Sequence, residues 1–256
     1  MIRHLGAPMP PANDLTDPQA MRHELLAPDQ GVRDAFAQHL SAELDELAAG
    51  LAKSFQHLQP MLDAGERLNL PRTNLMIAFA WGVIDDLVMS AKLLLVGQLP
   101  ASGNVMRQAL EGLSMAILCS TDAPLVIVQD KKGVVRASYW RKAMADDSRV
   151  QGQHALRQLA WNAEVLGVSP AGVAFLQRVQ KIFHPFSHCG RFTLTSRAAL
   201  EHPGRFHIGG HFDAAKLDGY RGHLEQHIGL AGVLPAMMDH LSATLANTAP
   251  AAGVAA

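Results

Sequence analysis

From Leu217 to Leu245 the chain repeats an apolar residue every three or four positions: Leu217, Tyr220, Leu224, Ile228, Ala231, Leu234, Met238, Leu241 and Leu245. That period puts all of them on one stripe of an α-helix, and a stripe this long has to be covered by other helices. Val32, Phe36, Leu40, Leu44, Leu47, Leu51, Phe55 and Leu58 form a second stripe with Arg33, Glu43, Glu46 and Lys53 off it, which predicts a long amphipathic helix. Pro60, Gly65 and Pro71 punctuate the turn that follows. Residues 73–96 are apolar on most sides and read as a central helix, and Pro100 with Ser102 as N-cap opens a third over residues 104–119.

Farther on, residues 153–166 read as a helix closed by Gly167, and Ser169 as N-cap with Pro170 behind it starts the next. That helix is expected to stop by His184, because Pro185 disfavours the α conformation in the residue before it. Apolar runs around Lys131-Lys132-Gly133 fit either a hairpin or two short helices, and the helical remainder of the chain favours the helices. Residues 192–195 and 206–208, on either side of Pro203-Gly204, predict a small two-stranded ribbon. The expected fold is therefore all-α: a bundle of five or six long helices with a small β-hairpin inserted before the last one. The expected organisation is a mobile arm over residues 1–30, one bundle domain over 31–248 and a disordered tail over 249–256.

Composition supports this. Only 5% of the 256 residues are aromatic while 48% are hydrophobic, a balance that suits close-packed helices better than sheets. Two cysteines cannot make a disulfide framework, and the start of the chain lacks the apolar core of a secretory signal, so the expectation is a cytoplasmic protein. No membrane association is expected either, because Asp85, Asp86 and Lys92 interrupt the most span-like stretch. The net charge of −1 excludes a generally basic nucleic-acid binder but not a local patch.

Such a patch exists in the sequence. Between Val165 and Leu200 there is no Asp or Glu, while Arg178, Lys181, Arg191 and Arg197 supply positive charge and His184 and His188 sit among them. A gap of this kind marks a surface that attracts phosphate or carboxylate; a helix with few acids because it is buried would read the same way. An imidazole can move protons to or from a ribose hydroxyl, and a guanidinium can grip a phosphate through two hydrogen bonds. Arg178 and His184 are six residues apart, which on a regular helix turns them about 120° from each other, whereas Lys181 and His184 share a face.

An arginine followed after four to six residues by histidine on a late helix resembles the signature of the HEPN superfamily (higher eukaryotes and prokaryotes nucleotide-binding), all-α domains that include toxin and defence endoribonucleases. The run Met106-Arg107-Gln108-Ala109-Leu110-Glu111, the turn Phe183-His184-Pro185 and the late Gly209-Gly210-His211-Phe212 resemble an uncharacterised bacterial branch of such proteins, over about residues 70–245. The nuclease members commonly carry a polar residue after the arginine, where this chain has Val179. The resemblance implies a metal-independent ribonuclease or RNA-binding protein without a cofactor, homodimeric, in a toxin or defence setting whose antitoxin partner is unspecified. Arg178 and His184 would be catalytic, with Lys181, Ser187 and His188 supporting.

Other readings compete with it. Arg107 and Glu111, also supporting candidates, lie four apart on an apolar helix, where a paired ion bridge that fixes register is favoured over a direct site role. His223 and His227 have the i, i+4 spacing of a zinc-chelating pair within a histidine-rich half that includes His202, His207 and His211, although no carboxylate completes the set. Tyr139 and Trp140 interleave with Lys131, Lys132, Arg136, Arg141 and Lys142, a pattern on which RNA bases can stack but which more commonly is a charged helix face with two half-buried aromatics. The alternatives to a nuclease are a helical scaffold or ligand-binding protein, or a metal binder.

Overall fold

The computed structural model describes residues 16–200 and 204–246. Its helices are α1 (Pro18–Leu26), α2 (Gln30–His39), α3 (Ser41–Leu68), α4 (Pro71–Leu95) and α5 (Leu99–Leu118), then α6 (Tyr139–Met144), α7 (Gly152–Asn162), α8 (Pro170–Phe183), α9 (Arg191–Arg197) and α10 (Leu217–Ala246). Strands β1 (Pro124–Asp130) and β2 (Gly133–Ser138) form one antiparallel hairpin between α5 and α6. The fold is all-α with a small β-hairpin insertion. The expected tail over 249–256, the arm up to residue 15, and His202 lie outside the described residues.

The core follows from the periodicity. Leu47, Leu58 and Met61 of α3, Met76, Val83 and Leu87 of α4, Met106, Leu110 and Leu113 of α5, and Leu224, Leu234, Met238 and Leu241 of α10 are all buried in one cluster. Helix α10 packs along α3, α4 lies along α5, and α7 and α8 cover the other side of α5. The stretch Ala214–Ala246 is long and apolar enough to cross a membrane; in this fold its stripe is packed inside the bundle.

Several local expectations are corrected. The stripe over residues 32–58 is carried by two helices, because Leu40 leaves the helical region at φ −128° while its side chain stays in the core. Pro60 does not mark a turn: α3 runs through it to Leu68, with Leu58, Met61 and Gly65 buried around it. Tertiary burial there outweighs the hydrogen bond the proline cannot make. Ser102 is not an N-cap but a buried residue inside α5, which begins earlier with Pro100 in its first turn.

The hairpin, too, is not where sequence placed it. Residues 124–138 form the strands, with Asp130 paired to Gly133 across Lys131-Lys132 and the Asp130 carboxylate accepting from the Lys132 N–H at 2.7 Å. Side chains of α7 complete the backbone hydrogen bonding of β1. Asn162 accepts from the Val126 N–H at 2.8 Å and donates to its carbonyl at 2.9 Å, and Gln158 donates to the Ile127 carbonyl at 2.7 Å. Residues 192–195, expected as a strand, belong to helix α9, and what pairs there among the described residues is an isolated bridge between Ala198 and Phe206. Beyond that bridge the chain crosses the α4–α5 turn backbone to backbone. A Cβ on Gly210 would stand 1.4 Å from the Val96 carbonyl oxygen, and Gly97 has φ 75°. Only glycine fits at either place.

A buried polar cluster joins three of the long helices. The Nδ1–H of His227 donates to the His223 carbonyl at 2.9 Å, so the neutral ring leaves Nε2 to accept from the Ser90 hydroxyl at 2.7 Å. Ser102 lies 3.0 Å from Nε2 of His223 and donates to the Ser90 carbonyl at 2.8 Å. Burial lowers the His227 imidazole to about 4 and holds His223 well below its ordinary value. His211, buried beside His207 and Lys216, is also lowered to about 4.

These shifts predict acid lability. An unfolded imidazole takes up a proton near pH 6.5 and these folded ones only near 4, so the unfolded chain binds more protons in between and stability falls as pH drops through that window. Asp86, raised to about 6 by burial and by Asp85, opposes this over part of the window with the opposite sign. Urea midpoints measured from pH 7 to pH 4 should therefore decline. His227→Gln should flatten the decline by on the order of 3 kcal/mol across the window.

Candidate functional site

The strand of chain around His184 is set by two phenylalanines. Helix α8 starts at Ser169, whose hydroxyl accepts from the Gly172 N–H at 3.1 Å, and ends at Phe183. Pro185 has no N–H to continue the α ladder, so His184–Ser187 tightens into a single 3₁₀ turn. Phe183 is fully buried against the His223 ring at 4.9 Å, and Phe186 lies 5.3 Å from Phe183 and directly over Gly103. A side chain at residue 103 would occupy the place of that ring, with its Cβ 2.1 Å from Phe186. Anchoring these two rings turns His184, Lys181 and Ser187 the other way, toward the surface between α5 and α7.

There the side chains meet in a polar groove. Two adjoining hollows of about 420 and 520 Å³ share Arg107 and Gln153. The larger is lined by Lys181, His184, Gln177 and Gln180, the smaller by Asn104, Gln108, Glu111 and Gln151. Arg107 donates through Nε to Glu111 at 2.9 Å and through a terminal nitrogen to the Ser187 hydroxyl at 2.8 Å. Ser187 in turn lies 3.3 Å from the Asn104 side-chain oxygen. Glu111 also lies against the first turn of α7, where a Cβ on Gly152 would come within 2.9 Å of its carboxylate. Glu111 is the one carboxylate in the groove lining, and it is paired.

Of the residues singled out in the sequence, the groove thus brings together Arg107, Glu111, Lys181 and His184, with Ser187 bonded to Arg107. His188 stands beside His184, the rings edge to face at 5.2 Å. Arg178 is not among the lining residues; it is exposed and its guanidinium rests 5.4 Å from the Phe175 ring, one turn back on α8. The carboxamides of the lining were not anticipated. Their signal was present as a polar stripe, Gln177, Gln180, Lys181 and His184, alternating with the buried Val173, Leu176, Val179 and Phe183.

The remaining candidates take structural places. His223 and His227 stack 5.1 Å apart with their Nε2 atoms on Ser102 and Ser90, and among the described residues no group of three His, Cys, Asp or Glu is placed to hold a metal. Tyr139 is fully buried with its hydroxyl on Gln158 at 3.1 Å, and Trp140 donates to Asp122 at 2.7 Å, so the two rings do not form an open stacking surface. Cys119 is a core residue whose thiol burial pushes up to about 12; Cys189 is exposed.

Comparison of the chain with family models, curated proteins and solved structures gave no match.

The bonding around Arg107 predicts that Arg107→Ala destabilises the fold by about 2–3 kcal/mol, because it leaves the mostly buried Glu111 carboxylate and the Ser187 hydroxyl without their donor. The double variant Arg107→Ala/Glu111→Gln should recover part of the loss in a urea titration.

Proposed function

We propose that the groove binds single-stranded RNA and cleaves it without a metal, as the resemblance to HEPN endoribonucleases implies. The observation that carries the reading is that Arg107, Lys181 and His184 line one open groove whose single carboxylate is already paired. Cations in such a groove suit the phosphate backbone, and the surrounding carboxamides, each both donor and acceptor, suit the edges of unstacked bases. Helix α8 and the turn after it lie within the acid-free window, so nothing on that wall repels a polyanion.

In this reading His184 takes the proton of the ribose 2′-OH. The 2′-oxygen bonds to phosphorus and the bond to the 5′-oxygen breaks, with His188 returning a proton to the leaving alcohol. The products are a 2′,3′-cyclic phosphate and a 5′-hydroxyl. Lys181 steadies the charge that grows on the phosphoryl oxygens, and Arg107 positions the turn through Ser187. Arg178, the arginine of the resembling motif, would act on RNA outside the groove or across a homodimer; the role it has in that motif falls within the groove to Arg107 and Lys181. A cytoplasmic homodimer and an antitoxin partner belong to the same proposal.

A labelled unstructured RNA incubated with the protein in EDTA tests it. Cleavage should yield cyclic-phosphate ends and fall by roughly 100-fold or more in His184→Ala. His184 is exposed, so that variant should melt where the wild type does. Cleavage that survives His184→Ala, or RNA that is neither cut nor bound in a salt-dependent manner, overturns the proposal.

A further inference from the structure

A second hollow lies on the opposite side of the Phe183–Ser187 turn, between α8, α9 and the first turns of α10, with a volume of about 500 Å³. Its lining is mostly apolar, with Leu99, Phe183, Phe186 and Phe192 among it, and among the described residues it includes no Asp or Glu. Two polar rings line it, Tyr220, whose hydroxyl is buried, and His223. His223 is 7% exposed, its Nε2 is committed to Ser102, and among the described residues no hydrogen bond reaches its Nδ1. A more than nine-tenths buried imidazole that lines an apolar hollow and keeps one ring nitrogen unpartnered is a group a ligand can satisfy.

Two glycines make the room. Gly219 and Gly222 sit on the wall that α10 gives to the hollow, and a Cβ on either would meet nothing within 4 Å. Their sequence placement beside the apolar seam predicts close helix approach, but α8 and α9 stand across the hollow rather than against them. Each glycine costs a helix interior about 1 kcal/mol relative to alanine, and here the return is space rather than packing. Lys216, the one Lys or Arg of the lining among the described residues, is already engaged: its ammonium donates to the Ser196 carbonyl at 2.9 Å and to the Ala198 carbonyl at 2.5 Å. Beside these apolar side chains the described lining carries three hydroxyls, Thr195 and Ser196 donating to the Phe192 and Thr193 carbonyls at 3.0 and 2.9 Å and Tyr220 buried, which leaves the His223 ring as the group best placed to bond a ligand.

We infer that this hollow is a binding site for a small uncharged aromatic or cyclic molecule carrying one hydrogen-bonding group, which meets Nδ1 of His223 while its apolar body fills the space beside Gly219 and Gly222. The site is separate from the polar groove, and the inference does not rest on the RNA reading. An occupant would press on Phe183 and Phe186, the two rings that set the turn carrying His184.

N-phenyl-1-naphthylamine, an uncharged aromatic probe with one N–H group, tests the site by fluorescence titration of the full chain. The expected result is saturable binding of one molecule per chain. Gly222→Leu fills the hollow with a side chain that touches nothing else, and should weaken binding at least tenfold while melting no lower than the wild type. His223→Phe keeps the ring contacts but removes the nitrogen, and should weaken binding about 2- to 10-fold, the loss of one hydrogen bond. Should His223→Phe fail to fold, the Gly222→Leu result decides. Unsaturable binding, or wild-type affinity in Gly222→Leu or in a folded His223→Phe, overturns the inference.

Discussion

Ser90, Ser102, His223 and His227 form a hydrogen-bonded knot in a place where none of the four can reach bulk water freely, and the two halves of the molecule are held in register by it. Apolar stripes tell helices to pack but leave them free to slide by a turn; hydroxyl and imidazole groups do not, because a slide would strand each of them unpaired in the core. The knot sets α10 against α4 and α5. Fixing α5 against α10 in turn fixes what each presents at its surface, Arg107 on one and His223 on the other.

The Phe183–Ser187 turn is built between those two helices and inherits their register. Phe183 rests on the edge of the same histidine cluster, and Phe186 lies in the notch left by Gly103. Because Pro185 ends the α ladder one residue after Phe183, the apolar and polar residues of this short segment separate cleanly. The rings face an apolar hollow and the polar atoms face an amide-lined groove. One turn thus walls two cavities of opposite chemical character, and anything that displaces it changes both.

Arg107 illustrates how structural and functional readings of a charged residue coincide. Its bonds to Glu111 and Ser187 tie α5 to the turn after α8, which is the work of a structural ion pair, yet the same guanidinium lines both hollows of the groove. Glu111 is held from a second side by the start of α7, so the pair is a junction of three elements. A junction of that kind keeps its charges near the surface because the groove beside it stays open to water.

Periodicity in the sequence determined the helical class, the course of α4, α8 and α10, and the end of α8 at Pro185, because those features depend on local spacing and on proline geometry. It also marked Lys181 and His184 as neighbours, since residues three apart on a helix face the same way whatever surrounds them. What it left undecided were choices in which local and tertiary energies compete. Residues 124–138 became strands because Gln158 and Asn162, far along the chain, bond the backbone of β1, and residues 192–195, whose apolar and β-branched character read as strand, became part of helix α9. Arg107 was drawn to the groove by the way α5, α7 and α8 meet, while Arg178 lies over Phe175 of its own helix, away from that junction. The cavity beside Gly219 and Gly222 arose for the same reason: a glycine in a sequence states only that a side chain is missing, and the assembled fold alone decides whether a helix or an empty space takes its place.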